Sequence, residues 1–340
     1  MKANVTSFQE RLLNVVRTFS NQRLVIIGDS IADRFLFGSI SRVSREAPVF
    51  ILRHEQTETI PGGAANCAVN LASLGASVSL ISVVGGDTSG VELRAKLEAA
   101  GVDTSGLIVS ERGQTTTKVR ILAGQTHSSR QQVIRIDYED GPLSDERVRQ
   151  ALLKELLEKL SHVNAVIISD YNYGVVDEST VAVLREKHQT SSLPVLVDSR
   201  FRLPSFPGLT AATPNGDELE HLVDGPLSTV EQLESNAVAL KERLRHKALL
   251  VTRGSQGMML IEDGKAPLHL SAVGGDQPVD VTGAGDTVIA TFTLALAAQA
   301  SFADAALLAN FAGGLVVMKR GTASITRQEL EHSILTSEVK

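Results

Sequence analysis

The segment Asp280-Val-Thr-Gly-Ala-Gly-Asp286 stands directly before an apolar run, residues 287–300, which predicts a buried helix. The N-terminus of a helix presents unpaired backbone N–H groups and a partial positive charge, so it is suited to hold a phosphate group. Gly283 and Gly285 have no Cβ and let a ligand approach the backbone closely. The segment therefore predicts a glycine-rich, anion-binding turn at a helix N-terminus.

Asp286 is the unusual residue of this segment, because a carboxylate beside a phosphate site repels its own ligand. A carboxylate in this place indicates proton removal from a substrate, with the neighbouring amides stabilising the charge that develops on the transferred group. The alternative is an ordinary tight turn with an acidic helix cap, which the segment on its own does not exclude.

Length and composition limit the classes of protein to consider. The 340 residues fit one large α/β domain with a small appendage, and 43% hydrophobic residues can form a substantial core. The net charge of −6 and the 4% aromatic content argue against nucleic-acid binding and against attraction to an anionic membrane. An anionic substrate must then be held by local cations, backbone amides or a metal.

The N-terminus and the single cysteine indicate the compartment. Charged residues interrupt the first 20 residues, unlike a signal peptide, and no apolar run of about 18 residues predicts a transmembrane helix. Cys67 is the only cysteine, which excludes an intrachain disulfide, and we expect it to have a packing role. A cytoplasmic protein fits these observations.

Short apolar runs at residues 24–27, 165–168, 195–197 and 249–251 end in Asp, Ser, Thr or Gly. Helical patterns lie between them, for instance 144–160 with Ser144 as the predicted N-cap. This alternation predicts an α/β fold with a mostly parallel sheet that is covered by helices on both faces. Ligands of such folds bind at the carboxyl ends of the strands, where these polar residues cluster.

Two segments, about 38–60 and 115–138, depart from this alternation. Basic and apolar residues alternate in Lys118-Val119-Arg120-Ile121 and in Ile134-Arg135-Ile136, with the period of a strand. We interpret the segments as a small sheet with one partly cationic face and a turn at 124–130. Such a sheet could cover an active site as a lid and exclude water. A solvated edge face explains the alternation equally well.

The segment Pro61-Gly62-Gly63-Ala64-Ala65-Asn66 precedes an apolar helix at 67–74. Its glycines would allow a small polyhydroxylated ligand to touch the backbone, and Asn66 can both donate and accept hydrogen bonds. Asp33, after the first apolar run, could accept bonds from hydroxyl groups. Gly-Gly turns and solvated loop aspartates are also common without any such role.

Two more glycine-containing turns follow predicted strands. Asn215 and Glu218, in Thr213-Pro214-Asn215-Gly216-Asp217-Glu218, lie on one side of a first helical turn. They would either cap the helix or position Mg²⁺, water and nucleotide phosphates. The segment Thr252-Arg253-Gly254-Ser255-Gln256-Gly257 could also hold phosphates. Neither turn is a Walker A loop, and no GxGxxG follows a strand.

These motifs occur in the order found in the ribokinase-like (PfkB) carbohydrate kinases, which the chain resembles over nearly its whole length. The Asp280–Asp286 segment is the most specific of them. The resemblance implies one kinase domain over residues 1–340, with a three-layer α/β/α architecture, a mostly parallel central sheet and a small β-sheet lid. It also implies transfer of the γ-phosphoryl group of ATP to a sugar hydroxyl.

The resemblance further implies roles for individual residues. Asp286 would be the base, and Gly283, Ala284 and Gly285 would form the anion hole with it. Sugar binding is implied for Asp33, Gly62, Gly63 and Asn66. Binding of ATP and Mg²⁺ is implied for Asn215, Glu218, Thr252, Gly254 and Gly257, with Glu218 reaching Mg²⁺ through water and Asn310 near the adenine. Asp280 has the usual position for binding a monovalent cation such as K⁺.

Within the family, the segments 41–49 and 131–137 resemble the kinase half of the bacterial heptose kinase/adenylyltransferases. This resemblance implies phosphorylation of D-glycero-β-D-manno-heptose 7-phosphate at its anomeric hydroxyl, on the route to lipopolysaccharide precursors. An adenylyltransferase half is not recognised in the chain. A phosphorylated substrate needs cations, and the candidates in or beside the lid are Arg42, Arg45, Lys118, Arg120 and Arg135.

Two positions depart from that subfamily and leave the sugar open. Tyr173 stands where a lysine is expected before Gly174, and Arg200 stands where an Asp-Pro-Lys phrase is expected. A kinase for another sugar or a nucleoside, and a non-catalytic sensor of sugar phosphates or nucleotides, are the alternatives. The exposed edges expected for the lid strands also predict a homodimer, since a second copy can cover them.

Overall fold

A computed structural model of the chain describes residues 7–124, 130–223, 227–274 and 278–337. The helices are α1 Ser7–Arg17, α2 Ala64–Ser73, α3 Thr88–Ala99, α4 Glu146–Lys159, α5 Glu178–Ser191, α6 Gly216–Leu222, α7 Val230–Leu244, α8 Ala284–Ala297, α9 Phe302–Val316 and α10 Arg327–Thr336. The strands are β1 Arg23–Gly28, β2 Ser30–Val43, β3 Phe50–Gly63, β4 Ser77–Gly85, β5 Leu107–Ser110, β6 Thr117–Gly124, β7 Gln131–Tyr138, β8 Ala165–Asp170, β9 Val195–Ser199, β10 Ala211–Ala212, β11 Ala248–Thr252, β12 Met258–Glu262 and β13 Leu268–Leu270. Within the described ranges, the helices lack the length and apolar character that crossing a membrane would need.

The centre of the fold is a nine-stranded sheet with the order β13-β12-β11-β10-β9-β8-β1-β4-β5. Neighbouring strands from β11 to β5 in this order are parallel, whereas β12 pairs in antiparallel fashion with both β11 and β13. The predicted α/β fold with a mostly parallel sheet is therefore confirmed. Strands β1, β8, β9 and β11 all end at one edge of the sheet, which brings their polar terminal residues together.

Two hydrophobic cores lie on the two faces of this sheet, because successive side chains of a strand point to opposite faces. In β1, Leu24 and Ile26 face α1, α2, α3, α8, α9 and α10. Val25 and Ile27 face the second layer, formed by α4, α5, α6 and α7. Helix α8 is buried from Asp286 to Ala297 and packs between α2 and α9. The helix that follows the glycine-rich turn is therefore fixed on two sides by packing.

The small sheet exists and is longer than predicted. Its order is β3-β2-β6-β7, and it begins at Ser30 and ends at Tyr138, so it includes residues outside the predicted segments 38–60 and 115–138. Lys118 pairs in register with Asp33 and Asp137, and Arg120 with Phe35 and Arg135, so these side chains share one face. Most of the predicted turn at 124–130 lies outside the described residues.

Two helix boundaries differ from the predictions. The helix expected at 287–300 runs from Ala284 to Ala297, because Gly283 takes the N-cap position and the first turn forms earlier. Asp145, not Ser144, caps α4, since its extended backbone lets the carboxylate accept a hydrogen bond from the amide of Arg147 at 3.0 Å. The hydrophobic periodicity located both helices but not their first residues.

The packing of α8 gives a stability prediction. Phe292 has 0% exposure in the first core, so Phe292→Ala should lower the free energy of unfolding by about 3–5 kcal/mol. The matched control is Phe201→Ala, since Phe201 is 65% exposed and its loss should change the same quantity by about 0.5 kcal/mol or less. Guanidinium unfolding followed by circular dichroism measures both. Equal losses would contradict the central packing of α8.

Candidate active site

The turn before α8 leaves several backbone amides free of any partner in the described part of the chain, among them those of Gly283, Gly285 and Asp286. Gly283 has φ 77°, a left-handed conformation, and no side chain caps the helix. The amide of Ala284 donates to the carbonyl of Val281, whereas those of Gly285 and Asp286 form no hydrogen bond within the described residues. Of the predicted anion-hole residues 283–286, only Ala284 thus has an amide that is already engaged. Free N–H groups at the positive end of a buried helix are suited to bind an anion.

Two cavities meet at this turn. The lid-side cavity of about 500 Å³ lies between the small sheet and the carboxyl edge of the large one. The predicted site residues that line it are Asp33, Gly62, Gly63, Lys118, Arg120, Arg135, Asn215, Glu218, Thr252, Gly283, Gly285 and Asp286. The α9-side cavity of about 390 Å³ is lined by Thr252, Gly254, Gly257, Ala284, Gly285 and Asn310 among the predicted residues. Thr252, Val281 and Gly285 line both cavities, so a group at these amides is reachable from either.

Four predicted residues line neither cavity, namely Arg42, Arg45, Asn66 and Asp280. Arg42 pairs with Ile51 towards the far end of the β2–β3 hairpin, and Arg45 follows β2; both are exposed and neither lines the lid-side cavity. Their proposed contact with a substrate phosphate therefore stays a prediction without support from this geometry. Asn66 is buried beneath the cavity, where its side chain contacts Asp286.

Asp286 is a buried carboxylate held by two neutral donors. Asn66 Nδ2 donates to one oxygen at 2.7 Å, and the Tyr171 hydroxyl donates to the other at 3.1 Å. Burial raises the pKa of Asp286 to about 6, against the opposing effect of these hydrogen bonds. The group is therefore mostly ionised at neutral pH and can still accept a proton. It is not the acidic helix cap of the alternative interpretation, since no side chain caps α8.

Asp33 and the cations of the small sheet form the opposite wall. Arg120 donates to Asp33 at 2.8 Å, and Arg135 donates to Asp137 at 2.8 Å. Burial raises the pKa of Asp33 despite Arg120. Burial also lowers the pKa of Lys118. The residues of β7 are exposed, as the solvated-face interpretation expected, yet Arg135 also lines the cavity.

Asn215 and Glu218 form a capping box, which was one of the two interpretations of this pair. The Asn215 amide donates to the Glu218 carboxylate at 3.0 Å, and the Glu218 amide donates to Asn215 Oδ1 at 2.8 Å. Glu218 also lines the lid-side cavity, and burial raises its pKa. Asp198 lies nearby, and burial together with the charges of Glu218 and Asp286 raises its pKa well above its usual value. Capping and ligand binding are thus compatible for Glu218.

Asp280 lies outside both cavities and accepts hydrogen bonds from the amides of Thr282 and Gly321 at 2.9 and 3.0 Å. Partial burial acts to raise the pKa of Asp280, but these hydrogen bonds outweigh it and the pKa lies below its usual value. Throughout the described part of the chain, no group of three or more His, Cys, Asp or Glu side chains could hold a metal ion by itself.

Several polar residues of the site were not singled out from the sequence. Tyr171 contacts Asp286, and Asp29 accepts hydrogen bonds from the loop at 171–175. Asp170 pairs with Arg202, and Ser199 donates to Asp170 at 2.6 Å. Their position could have identified them, since each residue lies at or just after the end of an apolar run that the sequence analysis recognised. Their hydrogen-bond partners could not be predicted in the same way, because these partners come from different strands and helices.

The two departures from the heptose subfamily are separated in space. Arg200 lines the lid-side cavity and packs over the ring of Phe201. Tyr173 lines a different cavity, and its hydroxyl donates to Glu139 at 2.5 Å. Of the two positions, only Arg200 can contact a ligand in the lid-side cavity directly.

Comparison with known proteins agrees with this geometry. A family profile described as pfkB family carbohydrate kinase matches residues 21–329. The chain belongs to this family. It is 41% identical over 320 residues to the "Bifunctional protein HldE" of Coxiella burnetii (strain Dugway 5J108-111). This aligned region covers 94% of the chain and 65% of that protein. It is 38% identical over 317 residues to the protein of the same name from Hahella chejuensis, covering 93% and 64%. The chain thus spans slightly less than two thirds of these relatives.

Solved structures share the fold. Ribokinase of Arabidopsis thaliana complexed with ribose and ATP superimposes with a TM-score of 0.72 at 22% identity, covering 93% of this chain and 99% of that one. Phosphofructokinase-2 of Escherichia coli in complex with potassium superimposes with a TM-score of 0.75 at 19% identity, covering 93% of this chain and 99% of that one. The predicted ribokinase-like architecture is confirmed by these likenesses.

The turn before α8 gives a second prediction. A Cβ on Gly283 would lie 2.6 Å from Asn66 Nδ2 and 3.0 Å from Thr322 Cγ2. Gly283→Ala should therefore lower the free energy of unfolding by about 3 kcal/mol, through left-handed backbone strain plus overpacking. Gly264→Ala is the control, since Gly264 has φ 70° but open space around it, and should cost only about 1 kcal/mol. Equal losses in thermal or denaturant unfolding would exclude close packing of Gly283 on Asn66.

Proposed function

We propose that the chain is an ATP-dependent sugar kinase. Its acceptor is a sugar phosphate, D-glycero-β-D-manno-heptose 7-phosphate, phosphorylated at the anomeric hydroxyl. One observation carries the proposal: the free amides of Gly285 and Asp286 lie where the two cavities meet, next to a carboxylate that can accept a proton. A phosphoryl group transferred between ligands in the two cavities would pass this point.

Proton removal is assigned to Asp286. Its carboxylate borders the lid-side cavity, and its pKa of about 6 lies close to neutral pH, as a general base requires. The acceptor hydroxyl would give its proton to Asp286 as its oxygen bonds to the γ-phosphorus of ATP, while the bond from that phosphorus to the bridging oxygen breaks and ADP leaves. Asn66 would keep the carboxylate aimed at the cavity. Asp33 and the backbone at Gly62 and Gly63 would hold other hydroxyl groups of the sugar.

Stabilisation of the charge on the transferred phosphoryl group is assigned to the amides of Gly285 and Asp286. Phosphoryl transfer depends mainly on positioning and on stabilisation of charge on the peripheral oxygens. Two N–H groups fixed on a buried helix need no reorganisation during the reaction. Gly283 would contribute a further free amide, whereas Ala284, whose amide is already engaged, would contribute by shaping the turn.

The α9-side cavity fits a nucleotide. Its lining includes the apolar side chains of Val273, Val288 and Val317 and the glycines of the 252–257 turn. The cavity would take the adenine near Asn310, whose amide nitrogen donates to the carbonyl of Ser271 at 2.7 Å and so holds the side chain in place. Thr252, Gly254 and Gly257 would hold the phosphates of ATP, which supplies the transferred group.

The acidic side of the lid-side cavity fits Mg²⁺. Glu218 and Asp198 both line it, and neither carboxylate forms a salt bridge with any described residue, while burial raises the pKa of each. Mg²⁺ is bound in proteins by few carboxylates and several waters, and it would neutralise charge on the phosphates. Glu218 would hold it through water, with Asn215 beside the phosphates. Asp280, with its lowered pKa, would help bind a monovalent cation such as K⁺.

The cations of the lid-side cavity support a substrate that already carries a phosphate. Four line it, namely Lys118, Arg120, Arg135 and Arg200. Arg120 pairs with Asp33 and Arg135 with Asp137, whereas Lys118 and Arg200 form no salt bridge with any described residue. Two unpaired cations would balance a phosphate dianion.

A cytoplasmic location suits the single buried Cys67.

A panel of acceptors tests the function. ATP consumption by the purified chain should be stimulated by heptose 7-phosphate and not by ribose or adenosine. Turnover with ribose or adenosine but not with heptose 7-phosphate would show that the proposed acceptor is wrong and that the kinase acts on one of these compounds. Saturable binding of ATP and sugar phosphate without turnover on any acceptor would overturn the kinase proposal in favour of a sensor.

Replacing the proposed base should separate binding from chemistry. Asp286→Asn should lower kcat by roughly 10²-fold or more, because the amide cannot accept the proton, while ATP affinity stays nearly unchanged. Asp217→Asn is the control, since this exposed aspartate next to Glu218 lines neither cavity. Steady-state kinetics and calorimetry give the two quantities. Unchanged turnover in the Asp286 variant would remove it from the mechanism.

The small sheet supports the proposed homodimer. Its edge strand β7 exposes Val133, Ile134 and Ile136, which are 50, 51 and 41% accessible, and the far end of the β2–β3 hairpin exposes Phe50. Edge strands with apolar side chains are suited to be covered by a second copy. Sedimentation should give twice the monomer mass, and Ile134→Lys should shift the distribution towards monomer. A monomer mass at every concentration would contradict the dimer.

A further inference from the structure

The loop after β8, residues 171–175, passes directly beside Asp286. Tyr171 donates its hydroxyl hydrogen to Asp286 Oδ1 at 3.1 Å, while Asn66 Nδ2 occupies Oδ2 at 2.7 Å. The ring of Tyr171 lies against Gly63, where an added Cβ would be 3.3 Å from it. The phenol is therefore fixed between the glycine turn and the carboxylate, and it also lines the lid-side cavity.

The loop itself is held by Asp29, at the end of β1. The Asp29 carboxylate accepts three backbone hydrogen bonds, from the amides of Tyr171 at 2.8 Å, Tyr173 at 3.0 Å and Val175 at 3.1 Å. Asp29 is only 2% exposed. Within the loop, Asn172 has φ 68°, a left-handed conformation that residues with a Cβ rarely adopt. Three bonds to one charged group offset that strain and fix the path of the loop.

We propose that Tyr171 is a positioning residue for Asp286, and that Asp29 holds Tyr171 in place through the 171–175 loop. The proposal rests on the proposed function, in which Asp286 accepts the proton of the acceptor hydroxyl. Tyr171 fixes the rotation of the carboxylate about its side-chain bond. It also stabilises the charged form of Asp286 by donating a hydrogen bond to it.

The surroundings of Asp286 make this hydrogen bond important. Asp33 on β2 and Asp198 on β9 face it as further acids, and Cys67 on α2 and Tyr171 itself are titratable neighbours among the described residues. Asp286 forms no salt bridge with any residue of the described ranges. Its charge is therefore stabilised by Asn66 and Tyr171 against burial and against like charges. Loss of one donor raises the pKa of Asp286.

The pH profile of kcat/KM with ATP and heptose 7-phosphate tests the proposal. The base is active when deprotonated, so the wild-type rate should fall as the pH drops through about 6. Tyr171→Phe should move this acidic limb upwards by about one pH unit, the effect of losing one hydrogen bond to a charged group. The difference between the two profiles should shrink at alkaline pH, where Asp286 is ionised in both enzymes and only the loss of its fixed orientation remains.

Tyr173→Phe is the matched control. It removes the same hydroxyl two residues away, where the bond goes to Glu139 in a different cavity, so the acidic limb should keep its wild-type position. Asp29→Asn tests the second half of the proposal, because an amide cannot accept all three backbone bonds. It should move the limb in the direction of Tyr171→Phe, and the double variant should move it no further than Tyr171→Phe alone.

A titration without substrate keeps the test independent of turnover. Carbon-13 NMR of the aspartate carboxyl carbons, with the Asp286 signal identified from Asp286→Asn, should show the same upward shift in Tyr171→Phe. An unshifted Asp286 titration in that folded variant would overturn the positioning role, whatever the substrate. A shifted titration in a protein whose turnover survives Asp286→Asn would instead overturn the proposed function and leave the hydrogen bond standing.

Discussion

A carboxylate taken out of water stays charged only if other groups solvate it, and the site depends on how Asp286 meets this requirement. Burial raises its pKa to about 6, and the two opposing hydrogen bonds come from Asn66 on α2 and from Tyr171 after β8. Three parts of the chain, far apart in sequence, must meet within hydrogen-bond distance. The layered packing of α2, α8 and the sheet is what brings them together.

Features that depend on a few neighbouring residues could be predicted from the sequence. The turn before α8 follows from glycines ahead of an apolar run, and the Asn215–Glu218 pair follows from side chains three residues apart. The parallel sheet follows from continuous apolar runs, since strands buried on both faces do not alternate. Such patterns place residues at the correct edge of the sheet because parallel strands all point the same way.

The missing parts depend on tertiary contacts. Strand β8 pairs with β1 although more than a hundred residues separate them, and only this pairing brings Asp29 to the loop carrying Tyr171. Alternation of basic and apolar residues in the small sheet identified a cationic face, but it did not show how far each cation lies from the site along the strands. Arg42 therefore seemed equivalent to Lys118, although it lies towards the far end of a long hairpin. Register, which no local pattern contains, decides which cation reaches a ligand.

Several acids crowd the carboxyl edge of the sheet, and their different surroundings separate their roles. Asp170 is paired with Arg202, and the pKa of Asp198 is raised well above its usual value by burial and by neighbouring charges. Asp29 resembles Asp286, since burial raises the pKa of Asp29 also to about 6.

Geometry separates these two acids. Both oxygens of Asp29 accept backbone amides, and it does not line the lid-side cavity. Asp286 borders that cavity and has one donor on each oxygen, which leaves lone pairs for a substrate proton. A suitable pKa is therefore not sufficient for a base in this site; an accessible oxygen beside unpaired amides is also required, and among these acids Asp286 alone combines them.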